Sequence, residues 1–232
     1  MVVKSELYEA LVVERKACQA CEGLLNPSMI DGGVYDCDHI GAWTRWAGNL
    51  DAEVIIVGQD FSELDFFRSH QGHPSTGANI SSTNRNLIRL IQEGLGFDIA
   101  PYEIGRETKS PLFFTNSVLC IKPGKASDPL KQSWANQCCK KFLKPLVETI
   151  IRPKAVITLS TTAYKGVKSA FGIKASNALR DVVGSEEGIS LNGSCVLFPM
   201  YHCGGLGLVN RKFSSQLEDW EKVGRFLRKG RQ

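Results

Sequence analysis

Four short apolar runs punctuate the chain, at residues 53–58 (EVIIVG), 113–119 (FFTNSVL), 155–160 (AVITLS) and 194–200 (SCVLFPM). Each is rich in β-branched or aromatic residues and bounded by turn residues, so each predicts a buried strand. Around them, apolar positions recur at helical spacing over residues 6–17, 83–94, 129–151, 161–171 and 214–228. Asp128 followed by Pro129 reads as an N-cap with proline in the first turn, and marks the start of the third of these helices. Strands alternating with helices predict a parallel sheet covered on both faces. The expected fold class is α/β, a three-layer αβα architecture with a four-stranded parallel sheet. No internal repeat or low-complexity linker breaks the pattern, and the length suits a single domain over residues 1–232.

In such sheets ligands bind beyond the carboxyl ends of the strands. Gly58-Gln59-Asp60-Phe61-Ser62 follows the first run, and the second contains Thr115-Asn116. Ser160-Thr161-Thr162 follows the third, and Tyr201-His202-Cys203-Gly204-Gly205 the fourth. A carboxylate, a carboxamide, hydroxyls and a histidine are thereby expected at one rim. Each also has a plain structural reading: Asp60 as a helix cap, Asn116 as a partner for buried backbone, His202 as a packed histidine, the glycines as a turn. No G-x-G-x-x-G or P-loop follows the first strand, which ranks a nucleotide-binding Rossmann reading last.

Composition narrows the class. At 43% hydrophobic and 22% charged residues, the chain is neither disordered nor collagen-like. No apolar run approaches the roughly 18–20 residues that span a bilayer. The first residues, with Lys4, Glu6, Glu9, Glu14, Arg15 and Lys16, do not read as a signal peptide. The expectation is a cytoplasmic protein. The net charge is +4, and residues 211–232 carry seven Lys/Arg against three Asp/Glu, so the whole excess sits there. Such an end either meets phosphates or is a solvated helix face.

Eight cysteines stand at 18, 21, 37, 120, 138, 139, 195 and 203. In a reducing compartment they do not read as disulfides. Cys18-Gln-Ala-Cys21 has the spacing that lets two thiolates share a metal. Two completions are open. Cys37 and His39 would make a zinc site, which spacing alone favours. Cys120 with Cys138 or Cys139 would give four thiolates for an iron–sulfur cluster. Cys195, on an apolar run, reads as a core residue.

The stretches FFTNSVLCIKPGKASDPL and QCCKKFLKPLVETIIRPKAVITLSTTA resemble the uracil-DNA glycosylase superfamily, in particular its family-4, iron–sulfur type, with similarity from about residue 18 to about residue 228. Cys139 then aligns better than Cys138, because Phe142-Leu143 falls in register. The resemblance implies a structural 4Fe-4S cluster on Cys18, Cys21, Cys120 and Cys139, with zinc on Cys18, Cys21, Cys37 and His39 as the alternative. The departures lie at the site. Gly58-Gln59-Asp60-Phe61-Ser62 replaces Gly-Glu-Ala-Pro-Gly, and its start is similar to the family-1 Gly-Gln-Asp-Pro-Tyr. His202-Cys203-Gly204 replaces His-Pro-Ser, Ser75 stands where a Phe is expected, and the segment between Cys21 and Asp60 is longer.

The implied activity is hydrolysis of the N-glycosidic bond of uracil in DNA after base flipping, leaving an abasic site, by a monofunctional, monomeric enzyme. In a prokaryote it would be nucleoid-associated. Breaking that bond builds positive charge on the sugar and negative charge on the base. Asp60 would serve the sugar and the water, and His202 would donate to the base O2. Asn116 would read O4 and N3–H. Gly58, Gln59 and Phe61 would line the base pocket, with Phe66 and Phe67 as rival stacking residues. Leu206 or Leu208 would fill the vacated stack, and Arg211 and Lys212 would hold phosphates. Thr83-Asn84-Arg85-Asn86 opens a helix that either takes a phosphate or is capped by Thr83. His70 and His73 read as surface residues. Two other functions stay open: a glycosylase for another deaminated base such as hypoxanthine, and a non-catalytic DNA-binding protein on the same scaffold.

Overall fold

Strands Val54–Gly58 (β1), Leu112–Asn116 (β2), Ala155–Thr158 (β3), Ile189–Asn192 (β4) and Cys195–Pro199 (β5) form one sheet in a computed structural model that describes residues 3–106 and 108–229. The order is β2-β1-β3-β5-β4. The first four of that order are parallel, in the register Val54 opposite Leu112 and Ala155, and Ala155 opposite Val196. The sheet therefore has five strands, not four. β4 pairs antiparallel with β5 at the edge. Its short sequence ISLN is only half buried, so it lacks the continuous apolar run that marks the central strands.

Successive strand residues face opposite sides, and the sheet accordingly carries two cores. On one side Ile55, Val57, Phe113, Val156 and Leu197 meet Lys4–Lys16 (α1), Thr161–Ala170 (α5) and a long helix that begins with Gln132–Cys138 (α4). On the other, Val54, Ile56, Leu112, Phe114 and Ile157 meet Trp43, Trp46, Ser82–Arg89 (α3) and Phe213–Lys229 (α7). Two short helices, Leu64–Ser69 (α2) and Gly205–Asn210 (α6), sit at the carboxyl ends of β1 and β5. The three-layer αβα reading thus holds with one added strand.

Two helix starts differ from expectation. α3 is capped by Ser81, whose hydroxyl accepts the Asn84 N–H at 3.1 Å, so Thr83 is free of that role. α4 starts at Gln132 after Lys131. The Asp128 carboxylate accepts the Lys125 N–H at 2.7 Å and closes a turn before the helix instead of capping it. α4 runs on through π-helical turns at Cys139–Leu143 and Leu146–Ile150. Pro145 lies between them and removes a backbone donor. No helix among the described residues is long and apolar enough to cross a membrane. Of the basic C-terminal end, Arg231 lies outside the described residues.

Candidate active site

β1 lies between β2 and β3, so the chain order reverses beside it, and such switch points open a crevice at the strand ends. A cleft of about 660 Å³ opens there. Gly58, Gln59, Asp60, Phe61, Asn116, His202 and Leu206 line it, whereas Leu208, Arg211 and Lys212 do not.

Asp60 leaves the end of β1 into a turn where Ser62 holds φ at 145°, a conformation costly for any L side chain. The Gln59 carbonyl behind it accepts the Val118 N–H at 3.0 Å and the Ser117 hydroxyl at 2.7 Å. The Asp60 carboxylate is mostly buried, with its Oδ2 3.1 Å from the Lys122 ammonium. The ammonium lies off the hydrogen-bonding direction, and Oδ2 has no aligned donor among the described residues. Burial pushes the carboxyl pKa up; Lys122, the Gln59 side chain and His202 pull it back.

His202 follows β5 on a segment clamped from three sides. Asn86 of α3 donates to the Cys203 carbonyl at 2.8 Å. Buried Gln216 of α7 donates to the His202 carbonyl at 3.3 Å and the Arg211 carbonyl at 3.0 Å. The Gly204 N–H donates to His202 Nδ1 at 3.0 Å. That bond assigns the ring proton to Nε2. One side of the ring is open to the cleft, but the protein around it strips hydration from the cation. Burial holds the imidazole below its ordinary pKa against the opposing pull of Asp60. The Gly204 bond and the lowered pKa both favour the neutral imidazole with Nε2 as its donor. Only glycine fits here: a Cβ on Gly204 would lie 2.5 Å from Thr83 Oγ1 and 2.8 Å from His202 Cε1.

Asn116 ends β2 and is buried, and its carboxamide makes no hydrogen bond among the described residues. A Cβ on Gly58 would lie 2.3 Å from its Oδ1, so glycine at the end of β1 makes room for the amide. The amide's donor and acceptor are thus both left free at the cleft. Phe61 and Phe66 line the cleft and pack edge to face at 5.7 Å, whereas Phe67 is buried in a separate cluster with Ile30 and Ile121. Ser75 also lines the cleft, and its hydroxyl accepts from the Ser81 N–H and the Asn84 amide, both at 3.0 Å. The aromatic surface is therefore supplied by Phe61 and Phe66 after β1 and by Trp43, which packs beside Gly58.

The mouth is set by α6. Leu206 is 84% exposed and projects beside the cleft, which distinguishes it from the half-buried Leu208. Arg211 is occupied: its guanidinium pairs with buried Asp219, Nη2 to Oδ1 at 2.8 Å, and so anchors the segment to α7. Lys212 is exposed. His70 stacks on Phe66 at 3.9 Å, and His73 bonds the Tyr102 hydroxyl at 2.5 Å, so neither is a free surface group. The loop 126–130 forms the far wall of the cleft, and the sequence reading missed it. Its only signal was a run of turn residues, Lys122-Pro-Gly-Lys-Ala-Ser-Asp-Pro.

A second cavity is lined by Cys18, Cys21, Cys120 and Cys138, together with Arg15 and Lys141. Cys139 does not share it. Its Sγ approaches the Ser117 carbonyl at 3.7 Å, and packs so near α5 that a Cβ on Gly166 would lie 3.0 Å away. Neighbouring helical residues point about 100° apart, so only one of this pair can face the cavity, and it is Cys138. Lys141 Nζ stands 3.7 Å from Cys18 Sγ. Burial and the neighbouring thiols push Cys120 up to about 12. Cys37 and His39 lie outside this cavity, and Cys37 contacts the His39 carbonyl at 3.9 Å. No three His, Cys, Asp or Glu among the described residues are placed to hold a single metal ion. The four-ligand zinc arrangement is not assembled.

The α/β sheet thus brings a carboxylate and a histidine from separate strand ends to one cleft. The model of the uracil DNA glycosylase superfamily matches residues 46–224, and the chain belongs to that superfamily. Its class is thereby that of the DNA glycosylases, with DNA as substrate. Comparison with curated proteins finds no match.

Proposed function

We propose that the protein excises uracil from DNA by hydrolysis, as a monofunctional glycosylase that flips the nucleotide into the cleft. The observation that carries this reading is the pairing of Asp60 with a His202 whose tautomer is fixed by Gly204. As the C–N bond lengthens, the Asp60 carboxylate stabilises the cationic sugar and orients the attacking water. The Nε2–H of His202 meets the charge developing on the base O2. A neutral donor suits this, because it need not lose a proton. The unused amide of Asn116 offers N–H to O4 and its oxygen to N3–H, and cytosine presents the opposite pattern. Phe61 and Phe66 give the base a wall, and exposed Leu206 fills the gap in the duplex. No lysine lines the cleft among the described residues, which supports water over a Schiff base as the nucleophile.

An iron–sulfur cluster, if the protein carries one, would be held by Cys18, Cys21, Cys120 and Cys138, the four cysteines that line one cavity. Four thiols from three segments of the chain line one space, with Arg15 and Lys141 against the charge that thiolates would bring. The cluster would supply structural cross-linking of the N-terminal segment to the loop after β2. Iron content and visible absorbance should be lost in Cys138→Ser and kept in Cys139→Ser; the reverse would restore the Cys139 assignment.

The function is tested with oligonucleotides carrying one uracil, one hypoxanthine or one mismatched thymine. Free uracil and an alkali-labile site, without borohydride-trapped protein, are the expected products. Release of hypoxanthine alone would move the substrate. Binding without release of any base would leave the non-catalytic reading.

A further inference from the structure

Lys122 lies on the chain between β2 and α4 and is nearly fully buried, which is rare for lysine unless the ammonium is paired. Its surroundings are specific. Nζ is 3.1 Å from Asp60 Oδ2, 2.7 Å from the Ala126 carbonyl and 3.1 Å from the Asp128 carbonyl. It does not line the cleft, so it sits behind the carboxylate rather than facing a substrate. Its own backbone is pinned to the Asp60 turn: the Leu64 N–H donates to the Lys122 carbonyl at 3.0 Å, and the Glu63 carboxylate accepts the Ala126 N–H.

We propose that Lys122 is a positioning residue for Asp60, holding its carboxylate as an oriented anion while tying the same ammonium to the loop that walls the cleft. The inference rests on the glycosylase reading of Asp60 and deepens it. A carboxylate this buried is disfavoured as an anion unless a cation sits beside it. The charged groups that act on it are Lys122 and, across the cleft, His202. The nearby carboxylates are committed elsewhere, Glu63 to the Ala126 amide and Asp128 to the Lys125 amide. The ammonium at Oδ2 and the Gln59 side chain together orient the carboxylate that would meet water and sugar. The two carbonyl bonds do a second job. They fix residues 126–128 against the Asp60 turn, so the base and one wall of its pocket share a single anchor.

The test combines a carboxyl titration with a rate profile. Carbon-13 NMR of labelled aspartate, with Asp60→Asn to assign the signal, follows Asp60 in the full-length protein and in Lys122→Met. Removing an opposite charge at this range is expected to raise the Asp60 midpoint by about 1–3 pH units. In single-turnover excision of uracil, the acid limb should move up by the same amount, roughly a 10- to 1000-fold loss on that limb. Lys122→Arg keeps the charge and should restore most of the midpoint, while its bulkier fork loosens the loop and raises KM. The double variant Asp60→Asn/Lys122→Met should be no slower than Asp60→Asn alone. A purely structural role would lower Tm and raise KM but leave midpoint and limb in place, and that result overturns the proposal. If Lys122→Met does not fold, Lys122→Gln, which removes the charge but keeps a polar end for the two carbonyls, takes its place, and an unmoved Asp60 midpoint and acid limb in that variant would overturn it equally. A displaced midpoint in Lys122→Met together with no excision by the unmodified protein would support the Lys122–Asp60 linkage and overturn the glycosylase reading.

Discussion

Gly204→Ala is the substitution on which the assigned role of His202 turns. The residue has φ −89° and ψ −179°, a backbone any amino acid adopts, so no conformational strain arises. The cost is steric. The added Cβ would stand 2.5 Å from Thr83 Oγ1, 2.8 Å from His202 Cε1 and 2.9 Å from His202 Nδ1. Thr83 sits on α3, which Asn86 ties to the same segment, so the ring is the part that must move. Its bond from the Gly204 N–H, 3.0 Å in the parent, is then lost or bent, and with it the fixed Nε2 donor. Overpacking of this kind costs about 1–3 kcal/mol of stability. Loss of an oriented donor to a developing anion costs about 100- to 1000-fold in rate. Single-turnover excision from a uracil oligonucleotide should fall by that factor, while duplex binding changes little. Gly193→Ala, where the new methyl meets nothing within 4 Å, is the control and should match the parent. A Gly204→Ala enzyme that is folded and cleaves within about threefold of the parent would refute the argument that His202 acts as an oriented donor.

Three further outcomes follow from the same geometry. Excision should fall as pH drops, because protonation removes both the Asp60 anion and the neutral His202. With Asp60 raised above 3.8 and His202 lowered below 6.5, the profile has an acid limb and no loss on passing upward through neutrality; a fall above about pH 7 would contradict the neutral-donor assignment. Arg211→Ala should lower stability by about 3 kcal/mol, because it strips buried Asp219 of its bidentate partner; a change in DNA affinity with unchanged Tm would return Arg211 to phosphate binding. Leu206→Ala should leave Tm alone, since the side chain is 84% exposed, and slow excision from duplex more than from single strands; equal effects on both would deny it the wedge role.

The central strands were legible because buried parallel strands are nearly continuous apolar runs, as VIIVG, LFFTN, AVIT and CVLFP all are. β4 was not, because an edge strand of four residues with one buried side chain, Leu191, carries no such run. The strand-end rule led to Asp60, Asn116 and His202, since topology alone delivers those positions to one cleft. What it could not supply was anything depending on side-chain direction. Asp128-Pro129 carries a helix-start signal, but its carboxylate closes a turn with Lys125 three residues earlier. Cys138 and Cys139 are neighbours in sequence, and only the rotation of α4 decides which faces the cavity. Arg211 looked available for phosphate until α7 brought Asp219 against it. Lys122 gave no signal at all: a single lysine between Ile121 and Pro123 becomes notable only once Asp60 is seen beside it.

The most direct measurement is the single-turnover rate of uracil release by the parent, Asp60→Asn and His202→Ala enzymes from one labelled oligonucleotide, with Kd for the same strand measured alongside. The account predicts release by the parent, a loss of about 100-fold or more in each variant, and Kd values that stay close together. Release that survives both substitutions would contradict the assignment of the chemistry to this cleft.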